Sequence, residues 1–223
     1  MRLSDTDRAT VGAAVTAAEL GTAGEIVTIA ATDSDAYHDV ALHWAVLAML
    51  LVLALLSAWP RAVDPFYELV AGPWSLTMPP SALLGIALIL VTFAFLVVRV
   101  LLAWRPLRLA LTPRTTKARR VRRRAIALFR ASAERRTSGR TGVLLYLSLA
   151  EHRAEIVADE AIHSRVAPEV WGDAMIALVA AVKDGRPGDG MAEAVTRIGA
   201  VLAEHFPRRA DDINELPDRV IEL

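Results

Sequence analysis

The sequence predicts an α/β domain, a small mixed β-sheet flanked by helices, interrupted by an inserted two-helix transmembrane hairpin. Three observations carry this prediction. Residues 40–59 and 75–98 hold no ionisable side chain except His43. A β-branched run, Glu25-Ile-Val-Thr-Ile-Ala-Ala-Thr32, precedes them. An apolar run, Val143 to Leu149, and an alternating one, Ala154 to Ala158, follow them.

Each uncharged run approaches or exceeds the roughly 20 residues that cross hydrocarbon as a helix. The strictly apolar part of the first, Ala45 to Trp59, covers only about 22 Å at 1.5 Å per residue, so it borrows Val40 to Trp44. The expected spans are about 41–59 and 81–102. Trp44, Trp59, Trp74 and Trp104 fall near the four ends, where an amphipathic ring is favoured at headgroup depth. Pro60, Pro65, Gly72, Pro73, Pro79 and Pro80 break the helix between the spans, and residues 60–80 read as a short loop.

A formal net charge of zero conceals segregation: from Arg99 to Arg140 there are 14 Lys/Arg against the single acid Glu134. Ten of these basic residues, Arg99 to Arg124, follow the second span closely, against Arg61 alone in the loop. This asymmetry places both termini in the cytoplasm and the chain in the cell inner membrane as a multi-pass protein. A cleaved signal is not expected, because nearly 40 residues with acidic excess precede the first apolar run. The chain has no cysteine, which excludes disulfides, thiolate metal sites and a cysteine nucleophile.

Outside the hairpin, Ser4, Asp5 and Asp7 open a helix that places Val11, Ala14, Val15 and Ala18 at helical spacing up to Gly21. The strand at 25–32 reads as buried on both faces, and it needs a partner across the hairpin, expected at residues 142–149. Lys117 to Arg136 favours helix, with Val121, Ala125, Leu128 and Ala131 or Ser132 on the apolar side and Thr137-Ser-Gly139 at its end. The runs at 143–149 and 154–158 should form an antiparallel hairpin around Ala150 to His152. Trp171, Met175, Leu178, Val179 and Val182 mark one amphipathic helix, and Met191, Val195, Ile198 and Leu202 another. The tail from Arg208, with Pro217, is expected to be extended or loosely docked. The resulting division is 1–42 for the first part of the cytoplasmic domain, 43–104 for the hairpin, 105–140 for a basic juxtamembrane helix, and 141–223 for the rest of the domain and the tail.

These residues carry a family resemblance. The N-terminal helix followed by Gly24-Glu-Ile-Val-Thr-Ile29, then Arg140-Thr-Gly-Val-Leu-Leu-Tyr-Leu-Ser-Leu-Ala-Glu-His-Arg-Ala-Glu-Ile-Val-Ala-Asp159, with Trp171 and the helix between Gly190 and Pro207, resembles the TPM domain. It is most similar to the bacterial, membrane-anchored branch, in which a transmembrane hairpin interrupts the domain. The resemblance implies a compact α/β domain in a family that includes envelope and thylakoid proteins, some of them acid phosphatases or divalent-ion binders. Secreted members tend to carry an acidic residue and Asn before the Gly-Val-Leu strand and a glycine-rich turn after the next one. Here those places hold Arg140-Thr141 and Asp159-Glu160-Ala161.

Phosphoryl chemistry needs carboxylates converging on a metal, or a nucleophile with an acid/base partner. Asp33, Asp35, Glu151 and His152 would meet at one sheet edge if the two central strands run parallel, and they read as solvated turn residues. Asp159, Glu160 and His163 follow the last strand near Thr141 and are the candidate ligands for a divalent cation. No other cofactor is expected, since P-loop, Rossmann and nucleophile-elbow patterns are missing. His43 reads as an interfacial residue and Arg99 as a snorkelling one. Arg119, Arg120, Arg122, Arg123 and Arg124 are the expected contacts to membrane lipids through anionic headgroups, in preference to nucleic acid. The function expected is a membrane-tethered binding or scaffolding module with an unknown protein partner. A metal-dependent phosphatase of the TPM type and an envelope assembly factor are the alternatives.

Overall fold

The structure is a computed structural model that describes residues 2–72, 77–132, 141–208 and 218–223. The chain forms two compact units, Met1–Asp35 with Arg114–Leu223, and Ala36–Pro113. Trp74, the helix end at 133–136, Thr137 to Arg140 and residues 209–217 of the tail lie outside the described residues, while the end of the tail is docked as a short strand rather than loosely.

In the first unit, α1 (Asp5–Glu19) starts at a reciprocal cap: the Asp7 N–H donates to Ser4 Oγ at 3.0 Å and the Ser4 N–H to Asp7 Oδ2 at 2.8 Å. Two orphan backbone donors are thereby satisfied, and the acids of the first turn suit the helix dipole. β1 (Glu25–Ala31) is buried along its whole length. It runs parallel to β2 (Gly142–Ser148), with Val27 opposite Leu144 and Ile29 opposite Tyr146. β2 turns back antiparallel into β3 (Arg153–Ala158). The two-residue β4 (Ile221–Glu222) lies parallel to β1 on its other side, so the order is β3-β2-β1-β4.

Period-two alternation divides the β1 and β2 side chains between two helical layers. Ile26, Ala30, Leu145 and Leu147 pack with Val11 and Val15 of α1, Leu178 of α8 (Gly172–Lys183), and Met191, Val195, Ile198 and Leu202 of α9 (Pro187–His205). Val27, Ile29, Leu144 and Tyr146 pack with Val121, Ala125 and Phe129 of α6 (Arg114–Ser132). Helices α1 and α9 approach closely at Gly199, where a Cβ would stand 2.5 Å from Ala18 Cβ, and only a glycine fits there without displacement.

Several expectations need correction. Phe129, not Leu128, completes the buried stripe of α6, with Leu128 half-buried at its margin. The stretch after the first span is not simply a loop: Pro60–Val63 makes a 3-10 turn and Asp64–Ala71 a helix, α3. Prolines that end one helix are well suited to the first turn of the next, and each of these elements has one there. Glu160–His163 is likewise one helical turn, α7, and Trp171 closes a 3-10 turn before α8.

The second unit consists mainly of α2 (His38–Ala58) and α4 (Pro80–Leu101), packed along each other, followed by the short α5 (Arg105–Ala110). Both long helices are long and apolar enough to cross a membrane. Leu50, Leu51, Leu84, Leu88, Ile89 and Phe93 are each more than half exposed.

Candidate functional site

The parallel pairing brings the segment after β1 beside the turn after β2, the position at which open α/β sheets carry ligands. Here the two ends are tied together. The Ser34 N–H donates to Glu151 Oε1 at 3.0 Å, Ser148 Oγ donates to Glu151 Oε2, and Ser34 Oγ lies 3.0 Å from the Tyr146 hydroxyl. Asp35 pairs with Arg120 of α6 at 2.9 Å. Burial raises the Tyr146 phenol above its ordinary value and the neighbouring Glu151 adds to this, while the Ser34 bond and Arg124 act in the opposite sense.

The solvated-turn reading therefore holds for His152, which is exposed, and fails for Glu151, which is 7% exposed. Backbone leaving a buried strand needs acceptors, and the Glu151 carboxylate serves the Ser34 N–H. Sequence alone named Asp33, Asp35, Glu151 and His152 but missed Ser34, Tyr146 and Ser148. Tyr146 and Ser148, polar groups within an otherwise apolar run, were the available signal.

At the opposite sheet edge Asp159 is buried. Its Oδ2 accepts the Gly142 N–H at 3.0 Å, and its own N–H donates to the Gly142 carbonyl at 3.0 Å, closing the β2–β3 pair. Glu160 and His163 are exposed, the latter on the last turn of α7. Among the described residues no three His, Asp or Glu side chains are placed so that they could hold a metal ion. Thr141 instead bonds to the backbone, its hydroxyl donating to the Ala23 carbonyl at 3.0 Å.

A group that the sequence did not single out lies nearby. Glu19 Oε1 accepts the Ile26 N–H at 2.9 Å, and Glu19 shares a side-chain hydrogen bond with Asp218, which also accepts from Thr16 at 2.7 Å. Burial raises the Glu19 carboxyl to about 8, against the lowering effect of the Ile26 bond and with help from the charges of Glu25 and Asp218. An acid at a helix C-terminus opposes the macrodipole, and that misfit was the sequence signal.

The unfolded chain gives up this proton near the ordinary 4.5 and the folded chain holds it to about 8, so this stabilisation is complete below 4.5 and is lost as pH rises through 8. Glu19→Gln keeps a neutral hydrogen-bonding group and removes the titration. Urea melts should show the two proteins alike at pH 4 and the Gln variant more stable at pH 9 by about 1–2 kcal/mol, a figure discounted for partial exposure.

The five arginines assigned to lipid occupy different places on α6. Arg119 and Arg123, with Thr116 and Arg120, line a shallow cleft of about 360 Å³ on the side away from the buried stripe. Arg122 acts on Glu155 of β3, which burial pushes above the usual carboxylate range, and Arg124 acts on Tyr146. Arg119, Arg122, Arg123 and Arg124 are all exposed and Arg120 is half-buried; Arg119 and Arg123 are the exposed pair on the side opposite the buried stripe.

Residues 106–201 match the family model of the TPM domain. This stretch is similar to a TPM domain. The matched stretch runs from α5 into α9 and leaves out α1 and β1. The BA42 protein from the psychrophilic bacterium Bizionia argentinensis, whose structure was determined by NMR, is similar in fold. It has a TM-score of 0.56 and 16% sequence identity over all of this chain and 97% of that one. No curated protein matches. In the first unit, α1 and the inner strand β1 thus come from before the second unit in sequence, and the other elements from after it.

Proposed function

We propose that this chain is an integral membrane protein of a bacterial inner membrane whose TPM-like domain acts as a binding or scaffolding module on the cytoplasmic side, with the outer face of α6 held against anionic headgroups. The observation that carries the reading is the exposure of two apolar helices. Only 17% and 6% of their most apolar stretches are buried, whereas a core helix of a water-soluble protein is mostly buried. Hydrocarbon is the environment that such surfaces fit. Arg119 and Arg123 on α6, which follows the second helix closely in the chain, supply the charge that anionic lipid attracts.

Binding is favoured over phosphoryl transfer by what the acidic groups already do. Glu151 bonds to Ser34 and Ser148, Asp35 pairs with Arg120, and Asp159 accepts the Gly142 N–H. Membranes from expressing cells washed at pH 11 should retain the full-length chain, as integral proteins are retained. Release into the wash with the peripheral proteins would overturn the membrane reading.

A further inference from the structure

At one end of the α2–α4 pair, Trp44, Leu47, Leu51, Leu101, Leu107 and Leu111 line an open, almost wholly apolar groove of about 270 Å³. The Trp44 indole N–H donates to the Leu111 carbonyl at 3.3 Å and so ties α2 to the end of α5. Next to the groove is Arg108, which is 8% exposed. Its Nη1 donates to the carbonyl of Leu102, itself a groove residue, at 3.2 Å. Among the described residues its Nε is buried with no hydrogen-bond partner, and no carboxylate pairs with the guanidinium.

A buried cation with an unmet donor and no counterion is costly, and an acceptor-rich anion relieves both deficits. Phosphate oxygens match the guanidinium fork and form charge-assisted hydrogen bonds with it. A tryptophan at this end of the hairpin fits headgroup depth. We infer that this end of the hairpin is a binding site for one anionic glycerophospholipid, with an acyl chain in the groove and the phosphate on Arg108. A second copy of the chain is a poorer occupant. Of the acids in residues 36–113, Asp64 and Glu68 belong to the connection at the other end of the hairpin, and Asp39 already has a partner.

The inference rests on the membrane reading and can fail separately from it. Full-length protein, purified in detergent and delipidated, is offered phosphatidylglycerol, phosphatidylcholine or glycerol 3-phosphate, and one-to-one adducts are counted by native mass spectrometry. The expected result is a phosphatidylglycerol adduct, with little from the neutral lipid, which has the chains without the net charge, or from glycerol phosphate, which has the charge without the chains. Arg108→Gln should weaken the adduct at least about tenfold, the effect of losing a hydrogen-bonded charge. Leu51→Trp, which fills the groove and leaves the arginine, should weaken it as well, and it decides the matter if the Arg108 variant does not fold. Arg119→Glu with Arg123→Glu should leave the adduct intact. Equal uptake of the two lipids, or an adduct insensitive to the groove-filling change, would overturn the site even in a protein that resists the pH 11 wash.

Discussion

A chain cut to residues 114–223 is expected not to fold, whereas residues 1–35 joined to 114–223 by a short flexible linker should fold without the hairpin. The shorter piece keeps α6, β2, β3, α8 and α9 but loses β1, which lies between β2 and β4 and is buried from end to end. It also loses α1, whose Val11 and Val15 are fully buried. Removing this much core exceeds the roughly 5–15 kcal/mol of net stability that a domain has. The joined chain loses none of these contacts. Its break points are close, since Asp35 pairs with Arg120 at 2.9 Å and Arg114 is six residues away on the same helix, about 9 Å along its axis. Circular dichroism and a cooperative melt should separate the two proteins. A cooperative melt from residues 114–223 alone would show that β1 is dispensable.

The joined chain should bind phosphatidylglycerol vesicles, and Arg119→Glu with Arg123→Glu should reduce that binding by roughly a thousandfold. Each basic residue near an anionic surface contributes about 1 kcal/mol, and two reversals change the charge by four. Both side chains are exposed and on the side of α6 away from its buried stripe, so the fold should survive. Cosedimentation at low and high salt checks the expectation, because an electrostatic contact weakens as ionic strength rises. Binding that is insensitive to salt and to both reversals would remove α6 from the membrane contact.

Legibility in the sequence followed how local the cause was. The strands β1, β2 and β3, the antiparallel turn between β2 and β3, and the stripe of α9 could be read because apolar runs, alternation and 3.6-residue spacing are written into neighbouring residues, whereas β4, at the end of a polar tail, could not. The orphan strand at 25–31 pointed across the hairpin to its partner, since a lone apolar strand has nowhere else to bury itself. What was missed depends on residues far apart in the chain. Glu151 looked like a turn carboxylate, and only the Ser34 N–H, supplied from 117 positions away, makes it a buried acceptor. Glu19 owes its raised proton affinity first to burial and then to Glu25 and Asp218, against the lowering effect of the bond from Ile26. Arg108 counted as one more topogenic charge, and its burial appears only once α5 is folded. α3 was hidden because prolines that stop one helix also start another.

The proposal that the TPM-like domain and the connection between the spans face opposite sides of one membrane can be tested without background, because the chain has no cysteine. Val70 of α3 is 86% exposed and Ile176 of α8 is 71% exposed, so a single cysteine at either place should leave the fold intact. In spheroplasts treated with a membrane-impermeant maleimide, Val70→Cys should be labelled at once and Ile176→Cys only after the membrane is permeabilised. Labelling of both before permeabilisation, or of Ile176→Cys alone, would contradict the account.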